Sequence, residues 1–286
     1  MVIDFHTHTF PESIADRALS KLRSLCHTRT FSDGTVDSLR STADEAGIDF
    51  SVVLPVATGA RQDAHINDSV LRAHEAEEAD PRGVISFGAV HPDDPDWKSE
   101  LTRLARAGVR GIKIHPPYQE VPLDDPRYLR ILNAAGELGL IVVTHAGLDV
   151  GLPGHEESTV EKIASAVRQA GPVRLVCAHM GGWRCWREVC DLLPDTGVML
   201  DTSFSLGRLA PTEDGYPWTE EGLNMLSPED FCGIVNLFGA DRILFGTDSP
   251  WTDRKAEVEA IRRLPLSEEQ KDLILGENAR RLLGLS

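Results

Sequence analysis

The sequence is short of basic residues and of long apolar runs, and each shortage excludes a class of protein. It carries 29 Lys and Arg against 45 Asp and Glu in 286 residues, a formal net charge of -16. A basic surface that could bind nucleic acid or an anionic membrane is therefore not expected. No run approaches the roughly 18 apolar residues of a membrane-spanning helix. We expect a small molecule as the partner, and neither nucleic acid nor a membrane.

Cysteine is also scarce, and its distribution bears on the compartment. The five cysteines form an odd set without a Cys-x-x-Cys pair: Cys26, Cys177, Cys185, Cys190 and Cys232. This pattern argues against a disulfide framework and against a structural zinc knuckle. The opening Met-Val-Ile-Asp-Phe-His lacks the basic segment of a secretory signal. We expect reduced cysteines and a cytoplasmic protein.

Short apolar runs alternate with longer segments of helical periodicity along the whole chain. Eight runs are strand candidates: 2–8, 51–56, 84–90, 109–115, 140–145, 174–179, 198–203 and 243–248. Alternating β and α units indicate an α/β protein with a parallel sheet, and eight units favour a single (β/α)8 TIM barrel over residues 1–286. The alternative is a doubly wound sheet, which usually places a glycine-rich phosphate turn after its first strand. Here the first strand ends in His6-Thr7-His8 instead.

Histidines concentrate where the predicted strands end. Six of the ten lie at or beside a carboxyl end: His6, His8, His91, His115, His145 and His179. In a (β/α)8 barrel the active site is built at that rim. Side chains alternate along a strand, so His6 and His8 should face the same side. Asp4 shares their parity, and its carboxylate could orient a ligand imidazole from one layer deeper.

Three further apolar strands each end in one residue of the metal-ligand type. They are Leu-Ile-Val-Val-Thr-His145, Arg-Leu-Val-Cys-Ala-His179 and Ile-Leu-Phe-Gly-Thr-Asp248. Burying such groups costs several kcal/mol unless they are paired or bind a cation. The repetition therefore predicts a metal centre.

The combination of motifs resembles the amidohydrolase superfamily. The motifs are Ile-Asp-Phe-His-Thr-His near the start, Gly-Ile-Lys-Ile-His-Pro at 111–116, Thr-His-Ala-Gly at 144–147, Ala-His-Met-Gly-Gly at 178–182, Leu-Phe-Gly-Thr-Asp-Ser-Pro at 244–250 and Leu-Gly-Glu-Asn-Ala-Arg-Arg-Leu-Leu at 275–283. The resemblance is to the short single-domain branch that includes aminocarboxymuconate semialdehyde decarboxylase and related decarboxylases, hydratases and lactone hydrolases. It implies that His6, His8, His145 and Asp248 are metal ligands, and that His179 contacts substrate or bound water.

This ligand set suits one divalent ion, with Zn²⁺ as the first choice and Mn, Co or Fe as alternatives. A metal-activated water could pass its proton to Asp248, while His179 stabilises the developing oxyanion. The first hypothesis is therefore hydrolysis of a small ester, lactone or amide that bears a carboxylate. The alternative is decarboxylation of an unsaturated or aromatic acid. A metal-binding barrel without catalysis ranks third, because it leaves His179 unexplained.

Lys113 and His115 leave the number of metal ions open. Lys113 shares the parity of His115 and should face the barrel interior. It could be a carboxylated bridge between two metals, as in binuclear members of the superfamily. We favour instead an ion pair with Asp4, Asp201 or Asp248. His115 could bind substrate or a second metal, or could form an ordinary hydrogen bond at the rim.

Three arginines are candidates for binding a substrate carboxylate: Arg29, Arg61 and Arg184. Guanidinium groups pair well with carboxylates, although each of the three could equally be a solvated surface charge. The substrate itself and the oligomeric state, for which a homodimer is one option, are not encoded in any of these motifs.

Overall fold

A computed structural model describes residues 1–79 and 83–285 of the chain. Its strands are short and, in chain order, are β1 (Ile3–Thr7), β2 (Phe50–Val53), β3 (Val84–Ser86), β4 (Gly88–Ala89), β5 (Gly111–Ile114), β6 (Ile141–Thr144), β7 (Arg174–Cys177), β8 (Met199–Asp201) and β9 (Ile243–Leu244). No described helix combines the length and the apolar character that crossing a bilayer would require.

Helices separate most of the strands. They are α1 (Glu12–Cys26), α2 (Val36–Ala46), α3 (Asp63–Ala79), α4 (Trp97–Arg106), α5 (Pro116–Gln119), α6 (Pro126–Glu137), α7 (Val160–Gln169), α8 (Trp186–Leu192), α9 (Glu220–Leu223), α10 (Pro228–Phe238), α11 (Arg254–Arg263), α12 (Glu268–Asp272) and α13 (Asn278–Leu283). A π-helical turn, Leu273–Glu277, joins α12 to α13.

The predicted alternation of strands and helices is confirmed. All eight predicted strands are present among the described residues, and the third is divided into β3 and β4 at Phe87. A capping box forms at the start of α12, where Ser267 Oγ accepts from Gln270 N at 3.2 Å and Gln270 Oε1 accepts from Ser267 N at 2.9 Å. All five cysteines lie among the described residues, and none of them forms a disulfide.

The described contacts divide into two compact units. Unit 1 consists of residues 1–53, residues 150–152 and the described chain from 201 onward. Unit 2 consists of the described residues in 54–149 and 153–200.

Unit 2 contains a parallel sheet in which each strand pairs with the next one along the chain. Lys113 of β5 is level with Val143 of β6, and Val143 is level with Val176 of β7. Cys177 of β7 is in turn level with Leu200 of β8. Because the strands are parallel and in register, their carboxyl ends share one edge. The residues that follow β5, β6 and β7 therefore emerge side by side.

In unit 1 the first strand, β1, is hydrogen-bonded to a segment from the last quarter of the chain. β1 pairs in parallel with β2 through Ile3 and Phe50 and through Asp4 and Ser51. On the other side of β1, Phe5 N donates to Phe245 O at 2.7 Å. Beyond that segment, Thr202 N donates to Leu244 O at 3.0 Å. The carboxyl ends of these three segments carry His6 and His8, residues 201–203, and Asp248.

A buried ion pair between Asp4 and Arg254 stabilises this part of unit 1. Asp4 is fully buried and accepts from Arg254 Nε at 3.0 Å. It also accepts from the backbone and hydroxyl of Thr247 at 3.0 and 2.7 Å. The Arg254 guanidinium donates further to Leu39 O at 2.7 Å and to Ser51 Oγ at 2.5 Å. Burial raises the pKa of Asp4 above its ordinary value, and the charge of Arg254 opposes that rise.

Candidate metal centre

Three of the predicted ligands come together within unit 1. His6 Nε2 lies 3.2 Å from His8 Nε2 and 3.6 Å from Asp248 Oδ1. His8 Nε2 lies 3.1 Å from the same carboxylate oxygen. His6 and Asp248 are buried and His8 is partly exposed. The side chains of these residues thus present two imidazole nitrogens and one carboxylate oxygen to a common point.

These separations fit a divalent metal ion. Protein nitrogen and oxygen ligands lie about 2.0–2.2 Å from Zn²⁺, so neighbouring ligand atoms of one ion are about 3–3.5 Å apart. The three observed separations fall in or next to that range. Bond lengths to Mn²⁺ or Fe²⁺ would give similar spacings, so the triad fits a divalent cation without selecting one element.

A second carboxylate fixes the orientation of His6. His6 Nδ1 lies 2.8 Å from Asp201 Oδ2 and 3.0 Å from Ser203 Oγ. An ionised carboxylate only accepts hydrogen bonds, so Nδ1 carries the proton and Nε2 keeps its lone pair. Ser203 donates through both its backbone N–H and its hydroxyl to the other oxygen of Asp201. Asp201 and Ser203 are fully buried, and together they hold Nε2 of His6 ready to bind a cation.

Replacing Asp201 by asparagine should therefore weaken metal binding without abolishing it. The amide keeps the shape but loses the charge that holds the proton on His6 Nδ1, and such losses typically cost 10–100-fold in metal affinity. Competition with a chromophoric chelator measures this directly. Asp195→Asn, an exposed residue shortly before β8, is the matched control. Equal affinities of Asp201→Asn and wild type would contradict the role of Asp201.

Asp4 has a different place from the one suggested by its strand parity. The strand parity suggests that Asp4 orients a ligand imidazole, but its side chain accepts instead from Arg254 and Thr247. Its contact with His6 is to the backbone N–H, at 3.3 Å. Asp4 therefore holds the backbone beside Asp248, while Asp201 orients the imidazole.

Backbone geometry brings Asp248 to the histidines. Asp248 has a φ of 62°, in the left-handed region that Asp tolerates better than most residues. Its N–H donates to His6 O at 2.8 Å, and His8 N–H donates to Ser249 O at 2.7 Å. Gly246 is required nearby, because a Cβ there would lie 2.8 Å from the Cβ of His6.

Unit 2 contains a second group of histidines at the carboxyl ends of β5, β6 and β7. The rings of His115 and His145 stack with centroids 4.3 Å apart and planes at 20°. Asp149 Oδ2 lies 3.4 Å from His115 Nε2 and 3.8 Å from His145 Nε2. His145 Nδ1 lies 3.1 Å from His179 Nε2. All four residues are buried or nearly so.

The approach of two loops sets the position of Asp149. Trp183 N donates to Ala146 O at 2.8 Å, and Leu148 N donates to Trp183 O at 3.0 Å. Gly147 lies between these bonds with a φ of 83°, and a Cβ on it would be 2.2 Å from Trp183 N. A glycine is therefore needed for the loop after β6 to extend the sheet and place Asp149 beside His115.

The other predicted site residues have the following positions. Lys113 is buried on β5, as its parity predicts, and its two interpretations remain predictions. Arg29 and Arg61 are exposed, and Arg29 stacks over Phe31 with its guanidinium 4.6 Å from the ring centroid. Arg184 is half-buried, and its guanidinium lies 4.8 Å from the centroid of the Trp183 ring.

Within unit 1 the structure joins His6, His8 and Asp248, and within unit 2 it joins His115, His145 and His179. The membership of His145 in the metal shell stays a prediction from the sequence. Sequence reasoning missed Asp149 and the contact of Asp201 with His6. Asp201 does have a sequence signal, since it ends an apolar run as Asp248 does, whereas Asp149 lies in a loop and has none.

Comparison with known proteins identifies the family. The amidohydrolase family model matches residues 3–285. An uncharacterized TIM-barrel protein from Bordetella bronchiseptica aligns over 99% of this chain and 98% of its own, with 18% identity and a TM-score of 0.74. 5-Carboxyvanillate decarboxylase from Sphingomonas paucimobilis aligns over 100% and 99%, with 16% identity and a TM-score of 0.69.

A dihydroxybenzoic acid decarboxylase from a Polaromonas species, solved with bound manganese and the inhibitor 2-nitroresorcinol, aligns over 99% of this chain and 97% of its own, with 18% identity and a TM-score of 0.65. No curated protein matches the chain. These likenesses establish the (β/α)8 barrel fold that the strand count predicts. Members of the superfamily bind a divalent metal. Because the family match covers nearly every residue, the chain belongs to the amidohydrolase family and is an enzyme of it.

Proposed function

We propose that this enzyme is a metal-dependent hydrolase that cleaves a small ester, lactone or amide bearing a carboxylate. The observation that carries the proposal is the triad of His6, His8 and Asp248, whose ligand atoms lie 3.1–3.6 Å apart. In this proposal His145 supplies a fourth ligand, as the family resemblance implies. A divalent ion held there would act as a Lewis acid on a carbonyl oxygen and make a water molecule more acidic.

The residues of the chain then divide the proton transfers between them. Asp248 is the base that receives the proton of the attacking water on its carboxylate. His179 donates from Nε2 to the oxygen on which negative charge develops. Asp201 keeps the proton of His6 on Nδ1, so that the imidazole stays a neutral ligand throughout turnover.

Among the arginines, Arg184 is the strongest candidate for binding the substrate carboxylate. Its guanidinium is half-buried and stacked over Trp183, so less side-chain freedom is lost when it pairs with an anion. Arg29 and Arg61 are exposed and remain the weaker candidates.

Decarboxylation is the second candidate function. The observation in its favour is the match in fold, over almost the full length of both chains, to two decarboxylases of aromatic acids. The same metal ligands would hold the substrate carboxylate, and a protonated side chain would deliver hydrogen to the carbon that loses CO₂.

Isotope labelling separates the two reactions. A screen of carboxylates, lactones and amides would first supply an active substrate, which is then turned over in H₂¹⁸O. We expect ¹⁸O in a product carboxylate, because hydrolysis adds an oxygen atom from water to the carbonyl carbon. Mass spectrometry of the products measures it.

The decisive contrary result is release of CO₂ together with incorporation of solvent deuterium at the carbon that carried it. That outcome would replace hydrolysis by decarboxylation, while leaving the metal ligands as proposed. Heat-inactivated enzyme is the control for spontaneous hydrolysis and for exchange of label.

A further inference from the structure

The cluster in unit 2 offers two imidazoles and a carboxylate, as a metal site would. His115, His145 and Asp149 each present one ligand atom within 4.8 Å of the others. Whether such a group binds a cation depends on which imidazole nitrogens carry protons, and their hydrogen-bond partners reveal this.

The partners of His145 place its proton on Nε2. That nitrogen lies 3.0 Å from the carbonyl oxygen of Leu148, which can only accept a hydrogen bond. A neutral imidazole has a single N–H, so Nδ1 of His145 keeps its lone pair. Nδ1 is the atom that lies 3.1 Å from Nε2 of His179.

The partners of His115 indicate the same tautomer. Its Nδ1 lies 3.4 Å from the backbone N–H of Tyr118, which can only donate. The proton of His115 is therefore on Nε2, and it faces Asp149 Oδ2 at 3.4 Å. If that Nε2 bound a metal ion, the proton of the neutral ring would have to be on Nδ1. Two N–H donors, those of His115 Nδ1 and Tyr118, would then face each other.

The stacking of the two rings also disfavours a shared ion. A metal lies in the plane of each imidazole that binds it, because the nitrogen lone pair lies in that plane. The rings of His115 and His145 are nearly parallel, at 20°, with centroids 4.3 Å apart. Their lone pairs therefore point side by side and do not converge.

We propose that Asp149 is a positioning residue for His145. Its carboxylate lies 3.4 Å from Nε2 of His115 and 3.8 Å from Nε2 of His145, so its negative charge favours a proton on that edge of both rings. On His145 this charge acts together with Leu148 O, which accepts the proton. Nδ1 of His145 is then the one atom that this residue can offer to a metal. The stacked ring of His115 fixes the plane of His145. This inference rests on the proposed function in that it takes His145 to be a metal ligand.

Nuclear magnetic resonance reads the tautomers directly. The full chain is labelled with ¹⁵N in histidine, stripped of metal and examined by long-range ¹H–¹⁵N correlation. We expect the Nε2–H tautomer for both His115 and His145. Asp149→Asn should shift His115 toward mixed tautomers and His145 to a smaller extent, because Leu148 O still accepts from Nε2 of His145. It should also lower the affinity for Zn²⁺ alone by about 10–100-fold. Asp149→Glu should restore both properties, and Asp191→Asn on the exposed face of α8 should change neither.

Three results would overturn the proposal. They are an Nδ1–H tautomer for His145 in the metal-free wild type, an unchanged Zn²⁺ affinity in Asp149→Asn, and a second Zn²⁺ per chain that Asp149→Asn removes. The last would make the cluster a metal site in its own right. The tautomers are measured without metal, so they stand even if His6→Ala leaves metal binding intact and the proposed ligand set fails.

Discussion

His6→Ala and Asp248→Ala should each reduce the metal content from about one divalent ion per chain to a small fraction of that value. Each variant removes one of the three ligand atoms that lie 3.1–3.6 Å apart in unit 1. Losing a direct ligand costs more than the 10–100-fold expected for an orienting residue such as Asp201. Elemental analysis of the purified variants gives the result, and His145→Ala tests the predicted fourth ligand in the same way.

Matched controls come from exposed residues of the same types. His65→Ala on α3 and Asp272→Ala on α12 should keep the full metal content. Unchanged content in both His6→Ala and Asp248→Ala would refute the ligand assignment. About two ions per wild-type chain, with one lost in Lys113→Ala, would favour the carboxylated lysine bridge over the buried ion pair.

His179→Asn should lower turnover by roughly 10²–10⁴-fold while the metal content stays at the wild-type level. This is the usual contribution of one acid or one oxyanion-stabilising group. The substitution suits the backbone, because His179 has a φ of 59° and Asn is among the residues that tolerate this region. The carbonyl of residue 179, which accepts from Trp186 Nε1 at 3.0 Å, is also preserved.

Steady-state kinetics and metal analysis on the same preparation provide the measurement. His65→Asn controls for a general effect of replacing a histidine. If His179→Asn loses as much metal as His6→Ala, then His179 is a ligand, and the division between metal-binding and substrate-contacting histidines is wrong.

The fold could be predicted from the sequence because every strand is a short apolar run. Strands of a parallel sheet that is covered on both faces are apolar throughout, so they can be distinguished from the amphipathic helices around them. The observed limits of β5, β6 and β7 lie within two residues of the predicted ones. The break at Phe87 could not be predicted, since Val84 to Val90 reads as one continuous apolar stretch. Phe87 is fully buried although it belongs to neither β3 nor β4.

The candidate site was predictable only where the ligand lies at a strand end. The His-x-His spacing identifies His6 and His8 as candidate ligands. The apolar run before Asp248 identifies that residue in the same way. The contact between Asp201 and His6 depends on which segments become neighbours, and sequence order does not state this. Asp149 depends on a loop that approaches Trp183 closely. Gly147 permits this approach, but a lone glycine in the sequence does not predict it.

The pairing of β1 with the last quarter of the chain also determines when the site can first exist during translation. The contact of Asp4 with Thr247 joins residues separated by 243 positions. At about 5–20 residues per second, a ribosome needs on the order of 10–50 s to travel that distance. During this interval the nascent chain displays His6 and His8 without the carboxylate of Asp248. If the triad binds an ion as proposed, that capture is a late event in biosynthesis, and a chain truncated before Asp248 cannot assemble the triad.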